Sequence, residues 1–137
     1  MVDRERILAR IDRLDSYLGE LRQIAPADLE AYRIIEKKRS CERLLQISIE
    51  CLVDICGLIV AGLHLGLPED ENDLFEKLER ASIISPQLKG TLQRMKGLRN
   101  ILVHEYGVVD DEIVFEVVQK RLKDFEAFRR EILEAIR

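Results

Sequence analysis

Apolar residues recur at intervals of three and four through most of the chain, and the places where that rhythm stops divide it into helices. Ile7, Ile11, Leu14, Leu18 and Leu21 form one stripe of a helix expected from about Asp3 to Ile24, ending ahead of Pro26. A second pattern runs from about Asp28 to Leu65, with a break allowed near its start, and stops at Gly66-Leu67-Pro68. A short third helix fits Asp73 to Ala81. The fourth opens with Ser85 as N-cap and Pro86 in the first helical position, and continues to about Tyr106, with Gly107 as the residue beyond its end. The fifth covers about Asp111 to Ile136. Val108-Val109 is too short to make a strand. These elements predict an all-α, up-and-down bundle of about five helices.

Composition narrows the class without changing that picture. The chain has 137 residues, 47% apolar and 35% charged, with three Pro and seven Gly, which suits a single folded domain over residues 1–137 and argues against disorder. Its formal net charge of −4 provides no global basic field, so contact with nucleic acid would need a local patch. Cys41, Cys51 and Cys56 lie in an apolar helical region without the paired spacing of a zinc site, and read as buried, reduced thiols of a cytoplasmic protein. The run from Ile55 to Leu67, 13 residues long, is too short to span a bilayer, and no membrane association is expected.

The polar positions are informative once placed on helical faces. On the fourth helix Leu88, Leu92, Met95, Leu98 and Leu102 form the apolar stripe, and Arg99 and Tyr106 fall on it. A guanidinium aimed at the core requires an acidic partner. Along the second helix Glu42, Gln46, Glu50 and Asp54 recur every four residues, continued by Gly57, Ala61 and His64. Glu42 and Gln46 read as an outer, solvated face. Glu50 and Asp54, set among apolar neighbours, are either part of that face or the internal partner of Arg99. His104, five residues beyond Arg99, lies about 140° around a straight helix, on a face shared with Gln93, Gly97 and Asn100. Arg99 and His104 can therefore converge only through distortion of the last turn or across a two-fold axis between chains. Small residues at Gly57, Ala61 and Gly97 predict a homodimer through the fourth helix and part of the second.

Other polar groups carry blander expectations. His64 reads as a core or capping histidine, and two histidines without a shared carboxylate cluster do not suggest a metal site. The acidic run Glu69, Asp70, Glu71 and Asp73 reads as a solvated loop. Lys37, Lys38 and Arg39 read as a solvated face, with a phosphate contact left open. No catalytic Ser-His-Asp set, phosphate-binding Gly loop or dinucleotide fingerprint occurs.

The segment Arg99-Asn100-Ile101-Leu102-Val103-His104-Glu105-Tyr106 resembles the R-x-x-x-x-H-x-Y motif of the HEPN superfamily. The wider chain, including Glu42 to Asp54 and the connection from Phe75 to Ser85, is similar to the HepT-like toxins that pair with minimal nucleotidyltransferases. The resemblance implies an all-α homodimer with a cleft lined by both subunits. It implies metal-independent, cofactor-free cleavage of RNA, with His104 transferring protons, Arg99 stabilising the charged transition state and Asn100 in support. Tyr106 matches the tyrosine to which the cognate nucleotidyltransferase antitoxin attaches AMP, which neutralises the toxin in such type VII toxin–antitoxin systems. The other reading is a non-catalytic HEPN module that binds a nucleotide or partner, with Arg99 serving the internal structure.

Overall fold

The computed structural model describes residues 2–104 and 109–137. Among them the chain forms α1 (Arg4–Ile24), α2 (Leu29–Tyr32), α3 (Ile35–Gly62), α4 (Glu71–Arg80), α5 (Pro86–His104), α6 (Asp111–Lys120) and α7 (Lys123–Ala135), with no strand. The all-α bundle expected from the apolar rhythm is the fold observed, with two of the five expected helices each divided in two. The expected ends near Tyr106 and Gly107 lie outside the described residues, as does Val108.

Five of the described helices begin on a side-chain cap. Asp3, Asp28, Asp70 and Asp110 cap α1, α2, α4 and α6, accepting hydrogen bonds from backbone N–H groups of the first turns. Ser85 caps α5 as its sequence predicts: its Oγ accepts from Leu88 N at 3.1 Å, while its own N and Oγ donate to Glu131 of α7 at 2.7 and 3.0 Å. Ser85→Ala is therefore expected to lower unfolding free energy by about 1 kcal/mol or slightly more, measured by urea denaturation.

The helix ends are equally well defined. His64, with φ 55°, follows the last turn of α3, where its N–H bonds Ala61 O and that of Leu65 bonds Val60 O. This left-handed closing turn makes His64 an exposed capping residue rather than a core one. Ser82, with φ 60°, closes α4 by the same pair of bonds, from Ser82 to Glu79 and from Ile83 to Leu78.

The neighbouring helices run antiparallel, as their cross-links show. Arg10 and Lys37 tie α1 to α3 through Asp54 and Ile24 O. Arg4, Asp15 and Arg22 tie α1 to the C-terminal region through Ile136 O, Arg129 and Glu126 in descending order. Lys89 and Arg99 of α5 reach Glu76 and Glu71 of α4. The core between them contains the whole predicted stripe of α1 (Ile7, Ile11, Leu14, Leu18, Leu21) and the aromatic rings of Phe75, Phe125 and Phe128.

Length and composition alone would let α3 cross a membrane, but half of its most apolar stretch is buried within the bundle, where it packs on α1, α4 and α5. Cys41, Cys51 and Cys56 are free thiols buried on this helix, and burial pushes all three pKa values upward.

Two breaks divide the expected helices, the first at the place allowed near the start of the second pattern and the second unforeseen. Ile34 turns extended between α2 and α3, which lets Tyr32 sink fully into the core while Ile34 and Ile35 stay exposed. The last expected helix divides at Arg121–Leu122, where bonds from Asp124 to Arg121 and from Phe125 to Leu122 tighten the turn. That bend lets α6 pack on α2 and α7 on α5. Finally, α4 starts two residues earlier than expected, at Glu71.

Candidate functional site

The polar centre of the molecule is built where α4 meets the second half of α5. Arg99 lies on the core face of α5, in line with the buried Leu88, Leu92, Met95 and Leu102, and its side chain is only 14% exposed. Its acidic partner is Glu71, the first residue of α4, whose side chain is 29% exposed. Nη2 of Arg99 donates to Glu71 Oε1, and Nε donates to Asn100 Oδ1 at 3.1 Å. The motif's own asparagine thus holds one side of the guanidinium and a distant carboxylate holds another.

This corrects the expectation that Glu50 or Asp54 would pair with Arg99. Glu50 accepts from Gln46 Nε2 at 3.3 Å, one turn back on the same helix. Asp54 is 60% exposed and pairs with Arg10 of α1 at 3.3 Å. Both carboxylates serve α3 and its contact with α1, because the polar line they continue does not face Arg99. Glu71 stands in the acidic run expected to be a solvated loop. A sequence signal for it does exist: Glu71, Leu74, Phe75 and Leu78 are spaced i, i+3, i+4, i+7, so Glu71 shares the stripe that buries those three. Two charges on the core-facing stripes of adjacent helices are placed to meet.

Removing one partner strands the other in a largely dry position. Arg99→Ala is expected to lower unfolding free energy by about 2 kcal/mol, less than for a fully enclosed pair because Glu71 retains some solvent. Urea denaturation of the variant measures this directly.

His104 is the last residue of α5 and is exposed, on the face that also exposes Gln93 and Gly97. Within one chain, therefore, Arg99 points toward α4 while His104 points outward. Tyr106 lies outside the described residues. The basic cluster held open as a phosphate contact is engaged internally: Lys37 donates to Ile24 O at 2.6 Å, Lys38 meets Asp111 at 2.8 Å and Arg39 meets Glu42 at 2.7 Å.

The outward face of α5 has a further property. Ile101 is 53% and Val103 42% exposed, and a Cβ added at Gly97 or Gly57 would meet nothing within 4 Å. Glycine inside a helix costs about 1 kcal/mol relative to alanine, yet nothing among the described residues requires it at either place.

A family profile described as Ribonuclease HepT-like matches residues 7–132. The chain belongs to this HepT-like family. The mRNA nuclease HepT of Shewanella oneidensis is 40% identical over 84 residues, which cover 61% of this chain and 63% of that protein. The tRNA nuclease HepT of Aphanizomenon flos-aquae is 30% identical over 127 residues, covering 92% and 86% of the two chains. Among solved structures, the tri-AMPylated Shewanella oneidensis HEPN toxin in complex with MNT antitoxin superposes with a TM-score of 0.88 at 31% identity, covering 98% of this chain and 99% of that one. The resemblance first carried by the eight residues from Arg99 thus extends over nearly the whole HepT-like chain.

Proposed function

We propose that this HepT-like chain is the toxin of a type VII toxin–antitoxin pair, a metal-independent endoribonuclease of the cytoplasm that is neutralised by a cognate nucleotidyltransferase. The observation that carries the reading is the part of the motif on α5, with Arg99 anchored by Glu71 and Asn100 and His104 exposed five residues later. The 2′-hydroxyl of RNA attacks the adjacent phosphate, Arg99 stabilises the charge that builds on the phosphorane, and His104 transfers protons to and from the oxygens that react.

The active unit is a homodimer. Across a two-fold axis, the outward His104 of one chain and the Arg99 of the other converge on a shared cleft, which a single straight helix cannot arrange. Gly57, Gly97, Ile101 and Val103 support this reading, because small residues let helices approach closely and the exposed apolar side chains gain from burial. Sedimentation as a dimer at micromolar concentration is the matching physical result, and a monomer would count against the composite site.

Tyr106, two residues past His104 in the sequence, is the position we assign to AMP attachment by the partner. The modification adds an anion and a bulky nucleoside next to the catalytic pair, repelling RNA by charge and excluding it by volume. Cleavage of RNA by the purified chain with chelator present, before and after stoichiometric AMPylation, tests the activity and the switch together. Full activity after modification would refute the switch alone.

A further inference from the structure

We propose that Glu71 is a positioning residue for RNA cleavage, fixing which edge of the Arg99 guanidinium meets the scissile phosphate; this role rests on the ribonuclease reading above. A guanidinium is planar, with its donors arranged in a rigid fork, so holding two nitrogens determines where the third points. Glu71 takes Nη2 and Asn100 takes Nε, which leaves the Nη1 side without a described acceptor and available to a phosphate oxygen. Asn100 is the residue next to Arg99 and moves with the same helix turn. Glu71 is the only one of the two partners that references Arg99 to another element.

That outside reference is rigid. Asp70 caps α4 by accepting from Asp73 N at 2.7 Å, and Asp73 accepts from Glu69 N at 2.9 Å. One turn further on, Leu74, Phe75 and Leu78 are buried in the core. Glu71 is therefore carried on a fixed backbone, while the flexible arm of the pair is the long arginine side chain. A carboxylate beside the guanidinium lowers the net positive charge offered to RNA. The contact makes chemical sense if accurate placement outweighs that loss, and a misplacement of about 1 Å costs on the order of a hundredfold in rate.

A merely structural role would make Glu71 a clasp between α4 and α5. The same two helices are already clasped elsewhere by Lys89 to Glu76 and Glu79, which provides the control. The test measures cleavage of a mixed-sequence single-stranded RNA oligonucleotide by wild type, Glu71→Gln, Glu71→Asp and Lys89→Ala, well below each unfolding midpoint. Glu71→Gln keeps the side-chain volume and removes the charge, and is expected to lower kcat by about tenfold or more with KM within about twofold. Glu71→Asp keeps the charge but draws it back by one methylene, and should fall between the two; it carries the test should the glutamine variant not fold. Lys89→Ala should lose stability while keeping wild-type kcat. Wild-type kcat in the Glu71 variants, or activity that follows stability equally at Lys89 and Glu71, would overturn the proposal. A folded wild type that cleaves no RNA would instead overturn the ribonuclease reading, and the role of Glu71 with it.

Discussion

His104→Ala is expected to abolish RNA cleavage while leaving the fold and the dimer in place. The imidazole is exposed at the end of α5, outside the buried stripe of that helix, so its removal opens no cavity. The proton transfer proposed for it has no substitute among the groups that hold Arg99. Proton transfer by a positioned side chain contributes about a hundredfold to ten-thousandfold, and the departing 5′-oxygen of RNA is a poor leaving group without it. A drop of about a thousandfold in kcat, with an unchanged circular dichroism spectrum, is the expected result. Activity persisting in a preparation free of other nucleases would refute the catalytic assignment of His104.

The second large effect is expected from a residue that touches no reacting atom. Ile101→Glu should convert the dimer to monomer and remove activity with it. Ile101 is more than half exposed in the single chain, so the fold itself should lose at most about 0.5 kcal/mol. At a two-fold interface the side chain counts twice. Burying the exposed half of two isoleucines contributes roughly 2 kcal/mol, which corresponds to about thirtyfold in dimer affinity, and the introduced carboxylates add a desolvation cost. Analytical ultracentrifugation across a concentration series measures the shift, and activity should return as concentration drives the variant back to dimer. A fully active monomeric variant would show that one chain suffices and that the two-fold site is not needed.

These effects were legible to different degrees in the sequence. Ser85-Pro86 announced the start of α5 because both residues have one dominant local use, and the stripe on α1 was legible because its period is unbroken for about four turns. The break at Ile34 was legible only as an allowance near the start of the second pattern, and the break at Arg121–Leu122 not at all, since neither site holds Gly or Pro. They exist because α2, α6 and α7 must aim their apolar faces at different neighbours, which is a property of the assembled bundle. At the site, the inward aim of Arg99 and its need for a carboxylate followed from helical register alone. The identity of that carboxylate did not, because Glu50 and Asp54 stand among apolar neighbours on the second helix and are equal candidates by residue type. Glu71 lay in a run of acids that looks solvated when read along the chain. Counted from Leu74, Phe75 and Leu78, it falls on the buried side of α4.

Arg99 also shows why stability and activity must be read separately here. Its pairing with Glu71 supports the fold, so loss of activity in an arginine variant mixes the two contributions. His104 is exposed, so its substitution disturbs the packed core least, and Lys89 isolates the structural component by its distance from the motif in sequence.

The central claim is that the Arg99–His104 pair cleaves RNA by internal attack of the 2′-hydroxyl, without a metal. The most direct measurement is the chemistry of the product ends when the purified wild-type chain cuts RNA in excess chelator. Undiminished cleavage is expected, leaving a 2′,3′-cyclic phosphate on one fragment and a 5′-hydroxyl on the other. Products carrying 5′-phosphate and 3′-hydroxyl ends, or cleavage abolished by the chelator and restored by a divalent cation, would contradict it.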